Sequence, residues 1–312
     1  MRQYIGIDLG GTNIKGALVS EAGEILKQRS VPTHAEAGAE AVTKAIAAMI
    51  CQLAEGGSVS GVGMGCPGTV DDREGTVVYA CNLGWVHYDV RTALRELTGC
   101  SVRLVNDANA AALAEAAAGA AKGAQSAVVV TLGTGVGGGV VLDGKLLTGF
   151  TGAASELGHM TIVSGGEPCA CGQRGCFEAY ASATALIRMT KESMAQHPES
   201  ALHRIAAENG GVDGRTAFLA RQLGDAAGSE VVRQYIHYLA IGVGNIVNIF
   251  FPEVVALSGG IANQGENLLA PLREEVAQRE YGAAYSKKHP RILCCTLGND
   301  AGVIGAALFA KD

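Results

Sequence analysis

Two stretches of this chain are built to one plan, and that plan limits what it can fold into. Residues 4–19 read as two β-runs joined through the turn Gly10-Gly11-Thr12. Ser20-Glu-Ala-Gly-Glu24 then turns the chain into a third strand over 25–31. Residues 127–144 repeat the order: an apolar run, Gly133-Thr134-Gly135, a second apolar run and an Asp143-Gly144 hairpin. A single repeat at this separation marks a duplicated domain rather than a short-period solenoid. The expected fold class is therefore α/β with two units. Residues 1–118 with 299–312 would form the smaller, N-terminal unit and 119–298 the larger, C-terminal one. No linker rich in Pro, Ser or charge marks the join, so a helix near residue 120 is the expected hinge.

The remaining pattern fills in both units. Apolar spacing predicts a helix over 39–53, a buried strand over 59–66 ending at Pro67-Gly68, and a short strand over 103–107. The alanine-rich stretch 108–121 predicts a helix after it. Asn106 and Asp107 thus fall at the C-terminal end of a strand, where open α/β sheets bind ligands. A mainly helical section is expected over 179–228, broken at His197-Pro198 and Asn209-Gly-Gly, then a long helix over 230–250. The buried strand starting at Val254 runs into Ser258-Gly259-Gly260, with a helix from about Asn263 and a closing helix over 301–310 that returns to the first unit.

Composition excludes several classes. With 48% hydrophobic and 17% charged residues, the chain is a packed globular protein rather than a disordered one. A net charge of −6 with no Lys/Arg run argues against nucleic acid as a partner. The most apolar stretch, 238–251, is interrupted by Gly242, Gly244, Asn245 and Asn248, too short and polar for a membrane span. The N-terminus enters a strand without an apolar leader, so a soluble, cytoplasmic protein is expected.

One loop concentrates metal-binding chemistry. His159, Cys169, Cys171 and Cys176 fall within 18 residues among glycines, and Cys₃His is a common tetrahedral zinc set. The rival readings are a disulfide with a free thiol, or small buried residues. An odd total of nine cysteines and the lack of an export signal disfavour disulfides. Two carboxylates flank the loop, Glu156 and Glu178. Folding around a metal could bring them and the histidine to one surface, as binding a polyol demands. Cys51, Cys66, Cys81, Cys100, Cys294 and Cys295 read as reduced core or near-core residues. The other histidines have no companions at ligand spacing.

The glycine turns suggest phosphate. Asp8, Gly10, Gly11, Thr12, Asn13 and Lys15 combine a carboxylate for Mg²⁺, glycines that expose backbone N–H groups, a hydroxyl and a cation. A β-hairpin follows rather than a helix, so this is neither a P-loop nor a dinucleotide fingerprint. Alone it could equally be a plain glycine hairpin. A second loop, Thr131 to Gly135, and a third, Ser258-Gly259-Gly260, each follow an apolar strand, and together such turns would surround a nucleotide. Asp107 alone reads equally as a helix cap or a catalytic base, and Asn82 as a turn residue or a ligand. Trp85 reads as a packing residue.

These motifs, with Cys66-Pro67-Gly68, Asn106-Asp107-Ala-Asn109 and the Glu156-x-Gly-His159…Cys169-x-Cys171-Gly-x-x-Gly-Cys176 signature, resemble the ROK family from residue 5 to about 310. The resemblance implies two RNase H-like domains of the actin/hexokinase superfamily with an active-site cleft, and a homodimer. It implies ATP and Mg²⁺ as cofactors, bound by the loops named above, and a structural Zn²⁺ on His159, Cys169, Cys171 and Cys176. Asp107 would be the base for phosphoryl transfer to a sugar hydroxyl. Gly68, Asn82 and Asn106 would line the sugar, and Glu156, His159 and Glu178 would hold the hydroxyls nearest its anomeric carbon. Residues 178–184, Glu-Ala-Tyr-Ala-Ser-Ala-Thr, resemble the Gram-positive-type glucokinases of the family. Glucose, phosphorylated at its 6-hydroxyl, is the expected substrate. The alternatives are N-acetylglucosamine, N-acetylmannosamine, fructose or allose kinases, or a sugar-sensing regulator without activity.

Overall fold

The computed structural model describes residues 2–55 and 57–311. Gln3–Leu9 (β1) is buried along most of its length, as a central strand covered on both faces should be. Asn13–Ser20 (β2) and Ile25–Pro32 (β3) follow by antiparallel hairpins, and the largely exposed β3 forms the sheet edge. After helix α1 (Ala39–Ala54), Gly61–Cys66 (β4) pairs parallel with β1. Thr69–Asp71 (β5), Thr76–Ala80 (β6) and Trp85–Tyr88 (β7) make a small separate sheet. Trp85 is buried there against Tyr88. Helix α2 (Val90–Thr98) and Val102–Asn106 (β8) complete the main sheet, ordered β3-β2-β1-β4-β8. Register sets Asp8 beside Gly65 and Cys66 beside Asn106, so the parallel strands end together.

Helix α3 (Asp107–Ala117) is shorter than its alanine content predicts, and residues 118–126 are turns rather than a helical hinge. Its end is tied down by Glu115, whose buried carboxylate accepts N–H groups from Ala120 (2.7 Å), Thr296 (3.0 Å) and Leu297 (2.8 Å). Those bonds replace helix continuation with a fixed turn.

The second sheet repeats the first. Ala127–Leu132 (β9), Val136–Leu142 (β10), Lys145–Leu146 (β11), Val254–Ser258 (β12) and Arg291–Cys294 (β13) are ordered β11-β10-β9-β12-β13. By chain rank both sheets read third, second, first, fourth, fifth, so the duplication is one of topology as well as motif. The helical section comprises α4 (Glu178–Ala181), α5 (Ala183–Gln196), α6 (Ala201–Glu208) and α7 (Thr216–Gln222), with breaks where His197-Pro198 and Asn209-Gly-Gly predict them. Asp225 joins two of the succeeding starts: it accepts Gly228 N at the head of α8 (Ala226–Phe250) and Ala201 N at the head of α6. A short 3₁₀ turn over Gly260–Gln264 delays the next helix, α9 (Glu266–Ala277), beyond Asn263.

The last helix, α10 (Ala301–Phe309), packs on β1, β4 and α3. Glycine permits this contact. A Cβ at Gly6, Gly63 or Gly305 would overlap the backbone oxygens of Val303, Ala306 and Ala110 respectively. Compactness divides the chain into Met1–Val129, Gly139–Ser155 and Thr296–Asp312 as one unit, and Val130–Gly138 with Glu156–Cys295 as the other. None of the described helices is long and apolar enough to cross a membrane. Two cysteine expectations are corrected: Cys51 and Cys81 are exposed, although Cys66 is buried. Cys51 lies on the outer face of α1, where the apolar period of that helix does not reach.

Gly305→Ala is expected to lower stability by about 1–3 kcal/mol, because the added methyl must push α10 off α3. Urea unfolding of the two proteins checks this; an unchanged midpoint would contradict the packing.

Candidate active site and metal centre

In the first unit, the loop after β1 is held by a residue outside it. Thr33 N donates to Thr12 O (2.9 Å) and Thr33 Oγ1 donates to Gly10 O (2.6 Å), while Gly10 N closes the turn onto Asn13 O. Gly11, Thr12 and Asn13 are left exposed. Lys15 Nζ donates to Asn299 O at 3.0 Å. Asp8, next to last in β1, has its carboxylate against the first turn of α10, where a Cβ at Gly302 would lie 2.6 Å from Asp8 Oδ2. The positive end of the helix dipole faces it.

Asn106, not Asp107, caps α3. Its Oδ1 accepts Ala108 N (3.0 Å) and Asn109 N (3.2 Å), and its Nδ2 donates to Gly68 O (2.9 Å). The same side chain also hydrogen-bonds the Asp107 carboxylate. Gly68 has φ +84, and a Cβ there would overlap Tyr79 O, so the turn under Asn106 requires glycine. Asp107 Oδ1 also accepts Ala108 N (2.8 Å), and the Asn106 side chain and the Asp107 N–H hydrogen-bond the same carboxylate. Asn82 is exposed on a short turn and packs beside Gly11.

Asp8 and Asp107 form an electrostatic pair. Burial pushes the Asp8 carboxyl up to about 6, the Asp107 charge adds to this, and Lys15 opposes it. Burial likewise raises Asp107, against backbone N–H groups that favour its charged form. The buried Cys66 thiol is pushed up by burial and by both carboxylates, which keeps it protonated and inert. Two neighbouring carboxylates of one sign, each raised by desolvation, would favour a cation between them.

In the second unit, Gly133 N donates to Gly135 O (3.0 Å), Ala183 N to Gly133 O (2.8 Å), and Thr184 Oγ1 to Thr134 O (2.7 Å). Glu178 Oε2 accepts Val136 N at 2.9 Å. The third loop adjoins the second: Ser258 Oγ bonds Thr131 Oγ1 at 2.9 Å, and Gly259, at φ +89, leaves no room for a Cβ beside Leu132 O. Gly260 faces open space.

The metal ligands converge. One atom each from His159, Cys169, Cys171 and Cys176 lies within 4.8 Å of all the others. Cys171 Sγ and Cys176 Sγ are 3.7 Å apart, and Cys169 Sγ is 3.8 Å from His159 Nδ1. Zinc–sulfur bonds of about 2.3 Å require tetrahedral edges of about 3.8 Å, so the set fits zinc, whereas a disulfide needs about 2.05 Å. Gly172 and Gly175, at φ +88 and +81, supply the left-handed turns around the site. His159 turns Nδ1 to the thiols and leaves Nε2 for a ligand. Glu156 is exposed just before it. Glu178, by contrast, is already engaged, bonded to Val136 N with Oε1 3.7 Å from Cys169 Sγ.

The structure thus gathers Asp8, Gly68, Asn106, Asp107 and the first loop in one unit. It gathers the metal ligands, Glu178 and the other two loops in the second. Sequence reasoning missed Thr33, Thr184 and Gly302. Only Gly302 left a signal, as a glycine inside a helix start.

Comparison with known proteins is decisive about lineage. The ROK family model matches residues 4–312. The chain is 39% identical to a glucokinase from Thermotoga maritima, over 99% of this chain and 98% of that protein. It is 32% identical to an N-acetylmannosamine kinase from Citrobacter koseri, over 98% of each. Among solved structures it matches a ROK glucokinase from Streptomyces griseus in complex with glucose and AMPPNP, with a TM-score of 0.80, 34% identity and 99% of both chains covered. The chain belongs to the ROK family. Its actin/hexokinase-like fold, with the zinc-compatible loop, is the family's.

For this ROK protein, the raised Asp8 carboxyl makes stability depend on pH. Its contribution is present below the usual value of 3.8 and is lost as pH rises through about 6. Without magnesium, Asp8→Asn should therefore gain on the native protein in Tm between about pH 5 and pH 7. Both share the zinc site, so its own pH response cancels in the difference. A gap that stays constant with pH would refute the assignment.

Proposed function

We propose that this protein transfers the γ-phosphoryl group of Mg·ATP to the 6-hydroxyl of glucose. Membership of the family and its likeness to glucokinases make it an ATP-dependent sugar kinase; the identity of the sugar is the step proposed. The observation that carries the reading is Asp107, a solvent-accessible carboxylate at the start of α3, directly after β8, whose helix cap is Asn106 and whose carboxyl is nonetheless raised by desolvation. Phosphoryl transfer to an alcohol needs such a group. The hydroxyl proton passes to Asp107 Oδ2 as the sugar oxygen bonds phosphorus, and the bond to the departing ADP breaks. A carboxyl raised above its usual range is a better proton acceptor than an unperturbed one.

The remaining assignments are supported by position. The Asn106 amide, with Asn82 and the Gly68 turn, is assigned to the sugar hydroxyls near the transferred group. Glu156 and His159 Nε2 are assigned to those near the anomeric carbon. Gly10 to Asn13, Gly133 to Gly135 and Gly259-Gly260 are assigned to the nucleotide, and Asp8 and Lys15 to its metal and phosphates. Zinc, with its ligands complete, orients His159 and performs no chemistry. Resemblance to the family supports a homodimer, which light scattering would test. A cytoplasmic enzyme fits the reduced thiols that zinc requires.

Asp107→Asn should retain sugar affinity while lowering kcat by on the order of 10²-fold or more. Near-normal turnover would remove Asp107 as the base. Coupled ADP release with glucose, N-acetylglucosamine, N-acetylmannosamine, mannose, fructose and allose tests the substrate. The highest kcat/KM should be for glucose; preference for an acetylated sugar would overturn the substrate alone, and no turnover with any would leave a sugar-binding regulator.

A further inference from the structure

We propose that residues 178–184 couple the zinc centre to the second glycine loop, so that zinc occupancy sets nucleotide affinity, with Thr184 as the positioning residue. The proposal rests on the kinase reading and assigns to the metal an effect beyond the sugar.

Peptide geometry fixes where the loop's donors point. Gly133 O accepts Ala183 N, Thr134 O accepts Thr184 Oγ1, and Gly135 O accepts Gly133 N. Three consecutive carbonyls are therefore committed to the protein side of the loop. In a planar trans peptide the next N–H points opposite to the carbonyl. Fixing the oxygens of Gly133 and Thr134 consequently aims the N–H groups of Thr134 and Gly135 outward. Successive N–H groups so presented form an anion-binding nest. The loop does not orient these donors by itself; two of the three bonds come from the start of α5.

That start is tied to the metal ligands. Cys176 is followed directly by Phe177, fully buried and seated where a Cβ at Gly242 would overlap its ring. Glu178 comes next. It bridges Cys169 and Val136 N, and its carboxylate occupies the space a Cβ at Gly135 would need. Gly135 is thus glycine on account of Glu178 as well as of phosphate. With zinc bound, Cys169 is a thiolate that no longer donates to Glu178, and the metal itself fixes Cys169 and Cys176, the latter two residues before Glu178. Without it, the loop is held to this segment by the Cys169 thiol on Glu178, by Glu167 N on Tyr180 Oη (2.7 Å) and by Phe177 N on Met160 O (2.8 Å). Cys176 is then less firmly placed, and the outward donors lose part of their alignment.

The test uses full-length protein and Mg·AMPPNP as the probe, with binding measured by calorimetry in the absence of sugar. Thr184→Val, which removes one hydroxyl bond, should raise the nucleotide Kd about 5-fold. Thr184→Ser should restore it, and the KM for the sugar should stay within about 2-fold, which general loosening of the unit would not allow. Zinc-depleted native protein should lose at least as much nucleotide affinity. Coupling is reciprocal, so saturating Mg·AMPPNP should tighten zinc about 5-fold in competition with a chromogenic zinc chelator. This last arm needs no variant and no metal-free fold. Nucleotide affinity indifferent to zinc, with zinc affinity indifferent to nucleotide, would overturn the coupling. A Thr184→Ser protein as weak as Thr184→Val would overturn the role of the hydroxyl. A native protein that binds no Mg·AMPPNP would instead overturn the kinase reading together with this one.

Discussion

The first unit depends on backbone lying directly on backbone. At Gly6 and Gly63 the sheet offers no side chains to α10, and at Gly305 the helix offers none to α3. Helix and sheet therefore approach more closely than ordinary side-chain packing allows. Gly302 extends this contact to the functional end, and the first turn of α10 comes to rest on the Asp8 carboxylate. A final helix that looks like simple alanine-rich packing thus sets the electrostatics of the strand end opposite it. It supplies a favourable dipole but removes water, and for Asp8 burial dominates, since its carboxyl is raised.

The same economy governs Asn106. One amide caps α3 with its oxygen and holds the Gly68 turn with its nitrogen, so it fixes two segments, and its side chain also hydrogen-bonds Asp107. Asp107 and Asn106 are adjacent, and either could have capped the helix. Asp107 shares Ala108 N with Asn106 and takes its own N–H as well, yet desolvation outweighs these bonds and its carboxyl stays raised.

Most of the architecture was legible because it rests on local pattern. Strand periods, the repeated Gly-Thr turns and the breaks at His197-Pro198 and Asn209-Gly-Gly are properties of a few adjacent residues. The zinc set was legible because its ligands lie close along the chain. Helix ends were less so: α3 stops at Ala117 because a buried Glu115 binds the backbone at Thr296 and Leu297, far away in sequence. Thr33 and Thr184 were illegible for a similar reason. A threonine that braces a distant carbonyl has no distinguishing neighbours, and only the fold shows which loop it reaches. Glu178 was visible as a carboxylate, but its bond to Val136 N was not.

Duplication explains why two threonines do the same work by different routes. In the first sheet, β3 runs the full length of β2, with Pro32 opposite Asn13, and so delivers Thr33 to the glycine loop. In the second sheet the equivalent strand, β11, has only two residues, paired with Val141 and Leu142 at the far end of β10. It cannot reach Gly133 to Gly135. The brace must come from elsewhere, and it comes from the segment that follows the metal ligands, through Ala183 and Thr184. A strand edge holds its neighbour by a ladder of backbone bonds, whereas the first turn of a helix has no such ladder along the loop and depends on what anchors that helix end. On the coupling proposed above, four ligands around one ion would supply that anchor. On this view the metal loop stands in for the missing third strand, and the two glycine loops, alike in sequence, are rigid for different physical reasons.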